Sequence, residues 1–418
     1  MRQPWSVTAT FPSLSPWRIR PSLTGGDCKG GYHPALVDRP TPDLDAILGA
    51  IGDPELARPF TRRFLDATLL YDTLVDAAAW EILAGVGALP GPGGVDPAEA
   101  ASRLSLGSVP ARVLRYLLAK LADAGHLTAD GHRFLPAGGG PGSVAGKAEA
   151  LRAAVPEAAV GAEIVEILVA EASDFFRGER TGEEILFAPS RVPLWLRYFS
   201  NDNVLYAVNN VLGAEALSRV LPASGARVLE VGGGAGSAAE AALRRLGPRV
   251  TRYAFTELVP TFLRRGERAA RAAASPGTAV DAARLDMTRP WAEQGVEPGS
   301  FDAVLSVNCF HVAPDLDFVL AEARKALAPG GAVVLSECVK PADPFRPVYV
   351  EFVFGFLTGF SEVQTHPERR PAPGFLSPAA WRASFAAAGL PEVTFLPDAE
   401  AVGRLYRDFL VAAVVARA

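Results

Sequence analysis

"RVLEVGGGAGSAAEAALRRLG", residues 227–247, decides the fold. A short apolar run ends at Val231, a burst of glycines follows, and an alanine-rich helix begins. A glycine turn between a first strand and its helix lets backbone approach a ligand closely, with the helix N-terminus behind it. Gly232, Gly234 and Gly236, led by Glu230, give an acid-x-G-x-G-x-G spacing. In a shifted frame Gly234, Gly236 and Ala239 satisfy the relaxed G-x-G-x-x-A of dinucleotide folds, so the glycines alone leave the ligand open.

From Arg227 onward strands and helices alternate: "RVLEV", "RYAFTEL", "AVDAARLD", "FDAVLSVNCF" and "AVVLSECV". That pattern predicts a Rossmann-like, doubly wound parallel α/β sheet. "PEVTFLP" and "FLVAAVVARA" predict a closing pair whose last strand runs antiparallel. Three acids choose between ligands. Glu230 at the first strand's end can accept from a ligand ammonium or order the glycine loop, where a pyrophosphate gains nothing from a carboxylate. Glu257 closes the second strand, placed to accept both ribose hydroxyls of an adenosine. Asp286 is expected to end the third strand, facing an adenine amino group, with Met287 lying on the ring. With the antiparallel closing pair, the set matches S-adenosylmethionine better than NAD.

The rest of the chain sets bounds. A length of 418 residues, 49% hydrophobic and 21% charged, describes a globular protein of two to three domains. A net charge of −5 offers no footprint for nucleic acid, and no apolar run is long enough for a membrane span. Cys28, Cys309 and Cys338 make no disulfide or metal spacing and fit a reducing cytoplasm. The histidines and carboxylates do not cluster, so no metal is implied. Arginine far outnumbers lysine amid much Ala, Gly and Pro, the bias of a GC-rich bacterial gene.

Residues 1–45 are rich in Pro, Gly, Ser and Thr without periodicity and predict a mobile tail. Residues 46–140 predict a helical, winged-helix-like N-terminal domain. Its helix begins at Pro97 behind the cap Asp96, the next follows Gly107, and a small hairpin turns at Asp130-Gly131. Its second helix carries only Arg112, Arg115 and Lys120 against Asp123, which favours a lid or dimerisation module over DNA binding. Residues 141–221 read as a helical connector and 222–418 as the cofactor domain.

"GVEPGSFDAVLSVNCFHVAPDLDFVLAEARKALAPGGAVVLSE", residues 295–337, strongly resembles the C-methyltransferase domains of polyketide synthases. "VLEVGGGAGS", "YAFTELVPTFLRRGERA", "EFVFGFLTGF", "FLSPAAWRASFAAAGL" and "FFRGERTGEEILFAP" resemble their further segments, so the likeness runs from about residue 55 to the C-terminus. The resemblance implies a catalytic pair of His311, at the fourth strand's exit, and Glu337, ending the fifth. Adjacent parallel strands bring those ends together independently of the family. It also places a lid tyrosine on Phe199, beside Tyr198. Asn308 can hydrogen-bond cofactor or substrate, or order the turn. Cys309 and Cys338, beside the pair, read as packing residues. In residues 341–376, Phe345, Tyr349, Phe352, Phe356 and Phe360 are spaced like one helical face, either core or the wall of an acyl pocket.

These readings converge on methylation of a carbon alpha to a carbonyl in a polyketide-type substrate, small or carrier-bound, by a chain that can pair as a homodimer. A small-molecule O-methyltransferase, or a cofactor-binding enzyme that catalyses a rearrangement without methyl transfer, are the alternatives.

Overall fold

The computed structural model describes residues 41–408 and 410–417. The expected tail therefore lies, but for its last five residues, outside the described residues.

Short polar caps start most of the helices. Asp43 accepts from Ala46 N to open α1 (Leu44–Ile51), and Asp53, followed by proline, opens α2 (Pro54–Ala57). The 24-residue α3 (Arg62–Gly85), capped by Thr61, is buried along most of its length. It is enclosed by α5 (Ser108–Asp123), which follows α4 (Pro97–Arg103), and by α6 (Val144–Ala154) and α7 (Ala159–Phe176), all sharing one apolar cluster. Asp96 and Pro97 take the expected cap and first-turn positions of α4. Strands β1 (Leu127–Asp130) and β2 (Arg133–Pro136) form the hairpin, closed by Gly131 and His132, one residue later than expected, because Gly131 takes the left-handed conformation (φ 60°). Lys120 on α5 is almost wholly buried and lies 2.8 Å from Asp72, with Asp76 alongside, so its charge is met by two carboxylates on α3.

α8 (Gly182–Leu186) begins in a capping box of Thr181 and Glu184, and α9 (Val192–Tyr198) and α10 (Val204–Val220) follow. α10, within the expected connector, packs on the sheet: Val208, Leu212 and Leu217 share a core with the strands, as do Ile47 and Phe60 from the start of the described chain.

The sheet has seven strands: β3 (Ala226–Val231), β4 (Val250–Thr256), β5 (Ala279–Ala283), β6 (Phe301–Val307), β7 (Leu327–Cys338), β8 (Glu392–Leu396) and β9 (Val411–Arg417). Their order is β5-β4-β3-β6-β7-β9-β8, and β9 alone runs against its neighbours. The strands expected from the alternating pattern are all present, and the antiparallel last strand is as expected. Interleaved are α11 (Ser237–Leu246), α12 (Pro260–Ala273), α13 (Leu316–Ala326), α16 (Pro378–Ala387) and α17 (Ala399–Leu405). β5 stops at Ala283, three residues short of Asp286, because pairing ends where its only neighbour β4 ends, at Thr256↔Ala283.

Residues 341–376 hold two short helices, α14 (Glu351–Phe354) and α15 (Thr358–Ser361), in place of one continuous face. Gly355 closes the first, and Leu357 is extended (ψ 135°), which breaks the run. Phe345 is exposed, whereas Tyr349, Phe352, Phe356 and Phe360 join the apolar cluster of the N-terminal helices. The segment thus fastens the N-terminal helices to the sheet. Arg346 completes the fastening, 3.1 Å from both Asp123 carboxylate oxygens on α5 and also bonded to Asp408 ahead of β9.

Arg346→Ala should lower unfolding free energy by about 1–3 kcal/mol, since it leaves the two shielded carboxylates Asp123 and Asp408 only the more exposed Arg407. The exposed pair Arg133–Glu99 serves as control, with Arg133→Ala costing under about 1 kcal/mol. Urea unfolding of both variants checks the difference, and equal effects would show that Arg346 is only a surface charge.

Candidate active site

The C-terminal ends of β3, β4, β6 and β7 meet on one edge, where a parallel sheet binds its ligand. Gly232, Gly234 and Gly236 all have positive φ (71°, 55° and 89°), a conformation that favours glycine. The loop is also wedged. A Cβ on Gly232 would sit 2.3 Å from Cys309 Sγ, one on Gly233 2.2 Å from the Phe255 ring, and one on Gly236 2.7 Å from Gly266 Cα. Gly234 differs, since a Cβ there would meet open space. The open side of its Cα lies ahead of the N-terminus of α11, while its N–H is taken by Glu257.

Glu257 holds this loop from beside, and Glu230 lies buried at the end of the strand that leads into it. Glu230 is 1% exposed and accepts from the Tyr253 hydroxyl at 2.9 Å. Burial raises its carboxyl pKa to about 8, with the Tyr253 hydrogen bond opposing and the Glu257 charge adding. Glu257 accepts from Gly234 N (2.9 Å) through one oxygen and Val259 N (2.8 Å) through the other. The adjoining Leu258 and Val259 are exposed apolar side chains. Asp286 accepts from Thr288 N and Oγ1, bonds that hold its carboxyl below the usual range. Met287 connects the two halves of the site, its sulfur 4.0 Å from Cys309 Sγ.

The β6–β7 exit carries the other half. Asn308 is left-handed (φ 48°), its N–H donates to Ser336 O, and its side-chain oxygen accepts from Cys338 N at 3.1 Å. The side chain thus orders the turn, one of its two expected roles. His311 follows in a short 3-10 turn and is 4% exposed, and Glu337 is wholly buried. His311 Nδ1 and Glu337 Oε2 are 2.7 Å apart, while Glu337 Oε1 accepts from Cys309 N at 3.2 Å. With Nδ1 donating to the carboxylate, the lone pair rests on Nε2. Burial pushes the Cys309 thiol up to about 12, helped by Glu337, and pushes Cys338 up as well, so neither presents a thiolate.

Several neighbours complete the site. Phe375 and Phe360 lie against the His311 ring, with centroids 4.5 and 5.8 Å away. Tyr206 sits between the halves, its phenol raised by burial, by Tyr198 and by Glu230, Cys309 and Glu337. Phe199, at the expected lid position, stacks on Trp195 (5.3 Å) and meets Tyr206 edge-on (5.2 Å). Asn201 bonds Ser237 O and Glu240 over the start of α11. Phe375, Tyr206 and Asn201 were not read from the sequence, since they come from loops or helices far away in it, whereas Tyr253, two residues before Phe255 on β4, had a local signal in its strand alternation. Among the described residues no metal-binding cluster of His, Cys, Asp or Glu is present, and no helix is long and apolar enough to cross a membrane.

Residues 229–333 match the family model described as "Methyltransferase domain". The lovastatin diketide synthase lovF of Aspergillus terreus is 35% identical over 167 residues, 39% of this chain and 6% of that protein. The polyketide synthase PksR of Bacillus subtilis is 24% identical over 245 residues, 56% of this chain and 9% of that protein. The chain thus spans under a tenth of the length of these two relatives. Among solved structures, the CurJ carbon methyltransferase superposes with TM-score 0.72 at 23% identity, covering 90% of this chain and 99% of that one. The citrinin polyketide synthase CMeT domain gives 0.69 at 17%, covering 90% and 97%. The chain carries a methyltransferase domain and has the fold of polyketide synthase carbon methyltransferases, as the sequence resemblance implied.

Glu230 generates a pH test. Its folded-state pKa lies above the unfolded value, so the folded protein holds more protons between about pH 4.5 and 8, and stability falls as pH rises through that window. Glu230→Gln removes that loss. Its melting temperature should decline less than wild type's from pH 5 to 8, by calorimetry, and parallel declines would refute the assignment.

Proposed function

We propose that this S-adenosylmethionine-dependent methyltransferase alkylates the carbon alpha to a carbonyl of a polyketide-type acyl substrate. The observation that carries the reading is the buried 2.7 Å contact between His311 Nδ1 and Glu337 Oε2, with Cys309 N fixing the other carboxylate oxygen. That arrangement orients an imidazole and stabilises the charge it gains on taking a proton, as the third member of a hydrolytic triad does. A carbon acid needs such a base before it can accept a methyl group.

The residues at the glycine loop fit the cofactor. Gly234 leaves room for a ligand on the open side of its Cα at a helix N-terminus, Glu257 stands ready for ribose hydroxyls, Asp286 for the adenine amino group, and Met287 and Leu258 for the ring's faces. Glu230, beneath the loop, orders it. S-adenosylmethionine, when bound, supplies an electrophilic methyl on a sulfonium. His311 Nε2 then takes the alpha proton, Glu337 balances the imidazolium, and the aromatic side chains of Tyr206, Phe360 and Phe375 exclude water from the carbanion. Holding the two reactants in line supplies much of the rate.

The helix–helix–hairpin of residues 97–136 serves as a winged-helix-like lid or dimerisation module, with residues 46–140 and 141–221 mounted on a cofactor domain of residues 222–418. The lack of a basic face on α5 supports that reading over nucleic-acid binding. The acyl substrate arrives free or on a carrier.

His311→Ala should leave cofactor affinity intact by calorimetry while methyl transfer falls about 10²–10⁴-fold. Glu337→Gln should fall less, keeping a poorly oriented imidazole. With the demethylated cofactor bound, wild type should exchange the alpha proton of a β-ketoacyl thioester in heavy water, and His311→Ala should not. NMR with a methyl-labelled donor then locates the new bond. A methyl on oxygen would move the function to O-methylation, and substrate conversion without a methyl to a rearrangement.

Glu257→Ala tests the cofactor half separately. Each lost ribose bond to a charged acceptor costs about 1.5–3 kcal/mol of cofactor affinity. Unchanged affinity would leave Glu257 as a brace of the loop alone.

A further inference from the structure

We infer that Arg370 is a positioning residue for His311, and that residues 364–370 form a brace that holds the base in place. The inference rests on the proposed role of His311. Arg370 is 2% exposed, a costly place for a guanidinium unless its donors are used. It donates through one terminal nitrogen to the carbonyl of His311 itself and through the other to Ala313 O at 2.6 Å. These are the carbonyls of the 3-10 turn that carries the imidazole. A short turn cannot satisfy its own carbonyls, so a fixed planar donor sets the turn's pitch and, with it, the direction of the ring.

The brace has further points of attachment. Gln364 N donates to Pro314 O at 2.8 Å, two residues beyond the turn's end. Arg369 pairs with Asp317 at 2.7 Å on α13. His366 and Arg370 exchange both backbone hydrogen bonds, at 2.8 and 2.9 Å, closing the segment on itself. Phe375, a few residues on, packs on the imidazole. The guanidinium also senses the dyad: burial draws its pKa down to about 10 and the Glu337 carboxylate opposes that fall. A polar cavity lined by Asp315, Gln364, Arg369 and Ser384 opens beside Arg370. Its Nε makes no hydrogen bond among the described residues.

The test uses the full chain, with Arg370→Ala, Arg370→Lys, and ethylguanidinium as a rescue probe small enough for that cavity. Arg370→Ala should keep cofactor affinity within twofold and leave the KM for a β-ketoacyl thioester unchanged. Its alpha-proton exchange should fall about 10–100-fold, the cost of misplacing a base by a fraction of an ångström to an ångström. Ethylguanidinium should restore at least a tenth of the lost rate. Arg370→Lys, which keeps the charge but not the two-pronged geometry, should lie between. A second readout is the low-field NMR proton of the His311–Glu337 bond, assigned by its loss in His311→Ala. It should broaden in Arg370→Ala and sharpen again with ethylguanidinium.

Exchange and proton signal both at wild-type level in Arg370→Ala would overturn the inference. So would a loss that neither ethylguanidinium nor lysine relieves, which would mark Arg370 as a packing residue. If Arg370→Ala does not fold, Arg370→Lys carries the test, since an intermediate exchange rate with unchanged cofactor affinity supports the inference and a wild-type rate overturns it. If wild type itself exchanges no substrate proton, the proposed function fails, while the low-field signal still reports whether Arg370 holds His311.

Discussion

A carboxylate with no exposed surface must find its partners inside the protein, and Glu337 finds them at the exit of the neighbouring strand. One oxygen takes Cys309 N, the other His311 Nδ1. Satisfying it requires β6 to end where β7 ends, which the parallel register provides through Val307↔Ser336. Asn308 makes the meeting permanent by taking a left-handed conformation and tying itself to Ser336 O and Cys338 N. Few side chains but glycine and asparagine accept that backbone. The opposite neighbour, β9, offers Ala412 and Ala413 against Glu337 and Ser336, small residues that close the site without filling it.

The same economy governs the helix behind. Gly213 of α10 lies where a Cβ would be 3.3 Å from Ser336, so α10 seats directly on the strand that carries Glu337. The start of α10 carries Tyr206, and the residues ahead of it carry Phe199 and Asn201. Packing at Gly213 therefore sets how far these groups reach over the site. The cofactor loop is held by comparable contacts, with Phe255 beneath Gly233 and Gly266 against Gly236, so both halves of the site are fixed by close approach of backbones.

Much of this could be read from the sequence because its signals are local. Glycine spacing, an acid at each strand end, aspartate before proline at a helix start and the alternating strands each depend on a few adjacent residues. The three loop glycines fall where their spacing indicates, and His311 and Glu337, named by the family resemblance, lie within hydrogen-bond distance of each other. Non-local features did not show. Tyr253 reaches Glu230 only through the β3–β4 register, and Phe375 and Arg370 reach His311 from a segment some 60 residues later. Asp286 lies beyond its strand because β5 is an edge strand and has no partner past Ala283. The aromatic spacing of residues 345–360 imitates one helical face, yet Phe345 is exposed, and of the spaced aromatics only Phe352 and Phe360 lie in the two short helices. Tyr349, Phe352, Phe356 and Phe360 are buried among the N-terminal helices.

That last departure changes what the segment is for. A continuous helix over the site would be a wall, with one face to the substrate and one to solvent. The broken segment has three attachments: to the N-terminal helices through Tyr349, Phe352 and Phe356, to Asp123 and Asp408 through Arg346, and to the His311 turn through Arg370. The buried Lys340–Glu351 pair, 3.0 Å apart, anchors its root beside β7. The same segment thus touches both the N-terminal helices and the turn that carries the base. An opening that admits substrate by shifting those helices would pull on Tyr349 and Phe352 before it reached His311. The carbonyl bonds of Arg370 are what would let the turn keep its geometry while the segment gives.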